Sequence, residues 1–101
     1  MSDVIPYEVS YSGRVIDELR KLAIRAGRLG WGREFLAAVR EIEHRLRIYP
    51  QFGQPLQDLS VPSAQCWIGV VPPLVVKYVL DESRRQVIVS LPIYPLSGSG
   101  L

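Results

Sequence analysis

One cysteine and one histidine in 101 residues remove whole classes of chemistry. Cys66 has no partner for an internal disulfide, and with a single histidine no zinc set can be assembled. Long apolar runs are missing too: nothing approaches the ~20 residues that span a bilayer. Met1-Ser2-Asp3-Val4 lacks the basic-then-apolar order of a secretory leader. These absences lead to the expectation of a cytoplasmic chain with no metal, no cofactor and no membrane partner. No glycine-rich phosphate loop follows a strand and opens a helix, and no serine elbow or paired-carboxylate site is present. Excess charge of one sign is likewise absent, since 12 Lys and Arg against 10 Asp and Glu leave a net charge of +2. That balance permits an anionic partner without demanding one.

What the chain does have is the composition of a folded domain, 48% hydrophobic and 22% charged. Its length suits one domain over residues 1–101, large enough for a core but too small for an enclosed cofactor cavity. Partners are therefore expected on a surface or in a shallow groove. There is no internal repeat, low-complexity block or domain linker.

The layout turns on the run Leu46 to Leu56. Pro50 cannot continue a helix and pushes Tyr49 out of the α region, while Gly53 and Pro55 punctuate a turn. Before it the chain reads as one strand and two helices. Tyr7, Val9 and Tyr11 alternate with polar residues on a half-buried strand. Ser12 is a candidate N-cap, and Val15, Leu19, Leu22, Ala23 and Ala26 then recur at helical spacing over about residues 13–26, with Gly27 as a left-handed stop. The short glycine-rich linker at residues 27–32 predicts a helical hairpin. A second helix over about residues 33–48 gathers Phe35, Val39, Ile42, Leu46 and Tyr49 on one stripe. At ~100° per residue, Arg33, Arg40, His44 and Arg47 fall on the opposite side as a cationic ridge. Glu41 and Arg45 make an i, i+4 pair on its flank.

After the turn, three strands are expected over residues 65–71, 74–80 and 87–91, broken by Pro72-Pro73 and by a polar turn over 81–85. The resulting fold class is α+β in the order β-α-α-β-β-β, with a helical hairpin on one face of a mostly antiparallel sheet. These strands are apolar at nearly every position, more than a strand buried on one face requires. Something therefore covers part of the second face. The tail Leu96 to Leu101 is too flexible to do so, and the chain has no spare helix, which points to another protein chain.

Lys77 is the sharpest single residue, the one charge in an apolar strand and on the same face as Val75 and Val79. It either meets an anion in a groove or is a solvated lysine that discourages edge aggregation. Tyr94 either handles a proton or stacks on a base, or it caps the end of the core. Arg40 and Arg47 on the ridge, with Arg84 and Arg85 in the hairpin turn, are the candidate contacts to nucleic acid phosphates. Their plainer reading is a solvated helix face and solubilising turn charges. His44 is expected to be exposed, and Cys66 to be a small buried residue rather than a nucleophile. Trp31 and Trp67 read as core or hinge packing before partner anchors.

The strand Tyr7–Tyr11, the helical hairpin, the connection Tyr49-Pro50-Gln51-Phe52-Gly53-Gln54-Pro55-Leu56 and the strand Val76 to Glu82 together resemble the RelE/ParE superfamily of plasmid-stabilisation toxins, from type II toxin–antitoxin pairs. The resemblance covers essentially the whole chain and rests on no single diagnostic motif. It implies an antiparallel sheet against two N-terminal helices and a cognate antitoxin wrapping the toxin, which would supply the missing cover on the sheet. It also implies an mRNA endoribonuclease, acting on mRNA with or without the ribosome, or a non-catalytic inhibitor of DNA gyrase. A third option is a degenerate, non-toxic interaction domain. Family nucleases set basic residues on the open sheet face and a histidine, arginine or tyrosine near the last strand, and cleave by attack of the ribose 2′-hydroxyl. Lys77 matches the strand that carries the base-rich position, but Val75 stands where many relatives have arginine. Only Tyr94 serves near the last strand. The site implied by resemblance is thus Lys77 as a charge stabiliser and Tyr94 as the acid or base.

Overall fold

The computed structural model describes residues 5–61, 64–90 and 93–98. The residues at 1–4, 62–63, 91–92 and 99–101 lie outside it, and with them the expected absence of a leader and the ends of the third strand and of the tail. The chain runs through β1 (Glu8–Tyr11), α1 (Gly13–Arg28), α2 (Gly32–Ile48), a 3-10 turn (Pro50–Phe52), β2 (Gln54–Val61), β3 (Ala64–Val71), β4 (Leu74–Asp81), β5 (Gln86–Val89) and β6 (Tyr94–Pro95). Among the described residues no helix is long and apolar enough to cross a membrane.

α1 begins where Ser12 Oγ accepts the Val15 N–H at 3.2 Å, satisfying an otherwise orphaned donor. Its end lies later than the sequence suggests. Gly27 stays helical, and Gly30 takes the left-handed conformation at φ 82. Trp31 N–H then reaches Ala26 O at 3.0 Å and Gly30 N–H reaches Gly27 O at 3.2 Å, the paired bonds of a Schellman ending. One positive-φ glycine suffices, and the second candidate in the linker takes the role because α1 still gains helical bonds through Arg28. α2 stops as expected at Tyr49, whose φ of −146° leaves the helical region before Pro50.

The sheet order is β1-β5-β4-β3-β2, with β6 on β4. All pairings are antiparallel except β1 with β5, which run parallel from Glu8 opposite Gln86 to Tyr11 opposite Val89. The expected α+β class and helical hairpin on a mostly antiparallel sheet are what is found, with two more strands than the pattern shows. β2 occupies what reads as a turn. Gln-Pro-Leu-Gln carries no β-branched alternation, and Pro55 can join only because β2 is an edge strand, where a missing N–H need not break a ladder. β6 is two residues long, too short to show a period.

α2 lies against β1, β3 and β4, and α1 packs beside α2. Between them and the sheet sit Val15, Leu22, Ala26, Phe35, Ile42, Leu46, Leu74, Val76, Tyr78, Leu80, Val87 and Val89, all buried. Each fully buried aliphatic side chain contributes about 1.5–3 kcal/mol relative to exposure. Two members of the predicted stripes are outside this core: Ala23 and Tyr49 are exposed. Ala38 is buried in their place, because the inward face of α2 is centred between Phe35, Ile42 and Leu46 and leaves Tyr49 beyond the helix end.

The connection after α2 is tied down by its glycine. Phe52 stacks on Tyr78 with ring centroids 6.0 Å apart, and the Tyr78 hydroxyl donates to Pro50 O. A Cβ on Gly53 would strike the Ile68 carbonyl, so only glycine fits at that close approach. Burial pushes the Tyr78 phenol up to about 12, against a smaller opposing effect of a hydrogen bond from the Gly53 backbone.

Candidate functional site

Strand alternation sends Leu74, Val76, Tyr78 and Leu80 of β4 toward the helices and Val75, Lys77 and Val79 to the other face. Register then identifies their neighbours. Ile68 is opposite Lys77, Val70 opposite Val75 and Cys66 opposite Val79 on β3. On the other side Ile88 is opposite Val79 and Tyr94 opposite Val75. No helix covers this face among the described residues. Val70 is 48%, Ile88 42% and Tyr94 38% exposed.

β5 and β6 lie along the same side of β4, but not as one continuous strand. Moving from Val79 to Val75 is four residues on β4, whereas their partners Ile88 and Tyr94 are six apart. The pairing of Tyr94 with Val75 fixes the place of β6 beside β4. It leaves Tyr94 diagonal to Lys77 on the same face, and the lysine stem spans the gap. The Lys77 ammonium lies 5.3 Å from the centroid of the Tyr94 ring, within the range of cation–π attraction.

The structure thus brings Lys77 and Tyr94 together on one partly exposed face. Tyr94 is not a cap on the core. The adjacent residue, Ile93, is 3% exposed and takes the inward position. The register rows on both sides of Lys77 are apolar, so among the described residues its charge stands in a largely hydrophobic frame. Such a pair can hold one anionic group and donate a hydrogen bond from the phenol.

The four arginines do not join this pair. Arg40 and Arg47 are exposed on α2, in the layer on the far side of the sheet, and Arg47 Nε is held 2.6 Å from Glu43 Oε1. Arg84 is at the β4–β5 turn, with Nε 3.8 Å from Asp81 Oδ2. Arg85, expected to be a solubilising turn charge, is half-buried instead. Its guanidinium covers the Tyr7 ring at 4.3 Å and donates to Ile5 O, both just ahead of β1, and its backbone takes a positive φ of 52. Along the cationic ridge His44 and Arg33 are exposed as expected, and Cys66 is a buried free thiol.

Several polar contacts are not evident from sequence. Glu43 accepts from the Tyr11 hydroxyl with one oxygen and from Arg47 with the other. Burial, followed by the bond and charge of Glu43, pushes the Tyr11 phenol well up from its usual value. Gln51 Nε2 donates to Tyr7 Oη and Glu82 Oε2, each at 3.2 Å. Only the i, i+4 spacing of Glu43 and Arg47 offered a signal; the tyrosines are more than 30 residues from their partners. At the end of β4, Asp81 Oδ1 accepts from Ser83 Oγ at 2.8 Å and from Arg84 N–H at 3.1 Å. Those bonds hold its carboxyl below the usual range. No group of three or more His, Cys, Asp or Glu side chains able to hold a metal occurs among the described residues.

No protein-family model matches the chain, and no curated protein matches it by sequence. Solved structures do. A chain of the archaeal RelE–RelB complex from Pyrococcus horikoshii OT3 superposes with TM-score 0.57 at 13% identity, over 91% of this chain and 97% of that one. A chain of the toxin–antitoxin complex RelBE2 from Mycobacterium tuberculosis gives TM-score 0.62 at 21% identity, over 94% and 97%. At such identities the likeness is one of fold, and it extends over the helical hairpin and the sheet alike: this chain has the fold seen in these RelE–RelB and RelBE2 structures.

Proposed function

We propose that this protein is the toxin component of a type II toxin–antitoxin pair and that it cleaves RNA at the Lys77–Tyr94 site. The observation that carries the reading is the meeting of those two side chains, 5.3 Å from ammonium to ring centroid, on the uncovered sheet face. The ribose 2′-oxygen attacks the adjacent phosphorus while its proton leaves to solvent. Lys77 balances the charge that grows on the phosphoryl oxygens, and Tyr94 gives its phenolic proton to the departing 5′-oxygen. The bond formed is 2′-O–P and the bond broken is P–O5′, so the products are a cyclic phosphate and a 5′-hydroxyl. Arg40, Arg47, Arg84 and Arg85 lie away from this face and have no part in the step. An antitoxin segment that covers Val70, Ile88 and Tyr94 would shut the site and bury the exposed apolar surface together.

A second reading has its own support. Most described residues around Lys77 on this face are apolar, with Gln54 a polar member of its row, and a surface built to hold RNA is ordinarily rich in Lys and Arg. That frame suits a protein partner, as in a non-catalytic inhibitor of a macromolecule such as DNA gyrase, or an interaction domain without toxicity. Growth and transcript integrity after induced expression separate the readings, with wild type compared against Lys77→Ala and Tyr94→Phe. Arrest with mRNA cleavage that both substitutions relieve is the expected result. Arrest with intact mRNA moves the activity to the inhibitor, and no arrest from folded protein leaves the interaction domain.

A further inference from the structure

On the helix side of the sheet, α1, α2, the end of β1 and the residue before β6 enclose an apolar cleft of about 170 Å³ lined by Tyr11, Ile16, Leu19, Val39, Ile42 and Ile93. Ile42 and Ile93 are buried, Tyr11, Leu19 and Val39 are half-buried, and Ile16 is exposed. The two buried isoleucines therefore form the deep end of the cleft and Ile16 its mouth.

The chemistry of the lining sets what can enter. Five of the six lining residues are aliphatic, and the sixth, Tyr11, has its hydroxyl committed to Glu43. The other oxygen of Glu43 accepts from Arg47 Nε at 2.6 Å, so the carboxylate joined to this wall is already balanced. No lining side chain has a donor, an acceptor or a charge to spare for a polar guest, and a polar group taken into such a space gives up its water without replacement. A guest without polar atoms gives up nothing of the kind and gains apolar contact on every wall. Volume narrows the choice further. An apolar cavity of about 150 Å³ stays dry and binds benzene, whereas sites for drug-sized ligands run to about 300–1,000 Å³.

We infer that this cleft is a binding site for one uncharged, compact apolar molecule about the size of a benzene ring. Its walls come from both helices and from residues 11 and 93, far apart in the chain, so the site exists only in the folded protein. A guest held there stabilises the fold by mass action, and the thermal midpoint rises as its concentration passes the dissociation constant. The site is separate from the Lys77–Tyr94 pair and does not depend on RNA cleavage.

Benzene and pyrazine test this by methyl NMR and thermal melts on the whole chain. The two rings share one shape, but pyrazine carries nitrogen acceptors at opposite edges, so one of them must enter the apolar interior. Benzene is expected to shift the Leu19, Val39, Ile42 and Ile93 methyls saturably, with a dissociation constant of about 1 mM, and to raise the thermal midpoint. Pyrazine is expected to bind at least about tenfold more weakly, since its buried nitrogen finds no donor. Tyr11→Phe keeps the benzene site, because the hydroxyl takes no part in it. Leu19→Trp fills the cleft and abolishes binding, with Val39→Phe as the alternative if the first does not fold. The inference is overturned if benzene gives no saturable shift at these methyls, which would leave the cleft to a side chain of a protein partner. It is equally overturned if pyrazine binds as tightly as benzene, or if a folded, filled variant still binds. None of these readouts uses RNA, so a protein that shows them without cleaving RNA keeps the inference and loses the proposed activity.

Discussion

The ammonium of Lys77 stands over the ring of Tyr94, 5.3 Å from its centroid, although 17 positions separate the two in the chain. The contact exists because β6 is registered on Val75, which puts Tyr94 on the face of the sheet that Lys77 shares. It can be measured apart from any activity. In a double-mutant cycle with Lys77→Met and Tyr94→Leu, urea denaturation is expected to give a coupling of about 0.5–1 kcal/mol. Tyr94→Phe retains the ring and leaves most of that coupling in place, so its effect on RNA cleavage reports the hydroxyl alone. A coupling of zero would mean that the two side chains do not meet.

Gly69 should tolerate no side chain while Phe52 is present. A Cβ there would lie 2.5 Å from Phe52 Cζ, and Gly69→Ala is expected to cost about 1–3 kcal/mol, as overpacking does. Combining it with Phe52→Leu should cost less than the sum of the two single changes. Additive losses in urea titrations would show that the ring can move aside freely.

Alkaline pH should loosen the fold through its buried phenols. Tyr78 is raised from 10.0 to about 12 in the folded chain, first by burial, and Tyr11 shifts the same way. The folded state therefore favours the neutral forms. Their contribution is complete below pH 10 and is lost as pH climbs from about 10 through 12. Thermal melts across that interval should show a falling midpoint, with Tyr78→Phe flattening the fall.

At the acid end the sign reverses. The hydroxyl of Ser83, then the Arg84 N–H, hold Asp81 below its ordinary value of 3.8. Its contribution is complete above that value and fades as pH drops through the lower folded value. Asp81→Asn should lessen the slope of stability against pH below about 4. An unchanged acid limb would assign the effect to other carboxylates.

Arg85 combines a left-handed backbone with a stacked side chain, φ 52 and 4.3 Å over Tyr7. Arg85→Ala loses the stack and keeps the unfavourable φ. Arg85→Gly also loses the stack but removes the strain, so it should be about 1–2 kcal/mol more stable than the alanine variant. Equal stability of the two would show that the backbone relaxes once the guanidinium is gone.

The sequence alone determined the order of helices and main strands, the stop at Pro50, the inward stripes of Val15, Leu22, Ile42 and Leu46, and the outward position of Lys77. These follow from period, capping and the covalent limits of proline, which act over a few residues. Tertiary structure decided the rest. β2 and β6 exist only because β3 and β4 offer them edges, since β2 lacks the pattern and β6 the length to declare a strand. The choice of Gly30 over Gly27, the turning of Arg85 onto Tyr7 and the arrival of Tyr94 beside Lys77 all depend on partners distant in the chain. Such pairings are set by register and by which buried surface closes best, and a local stretch of sequence carries neither.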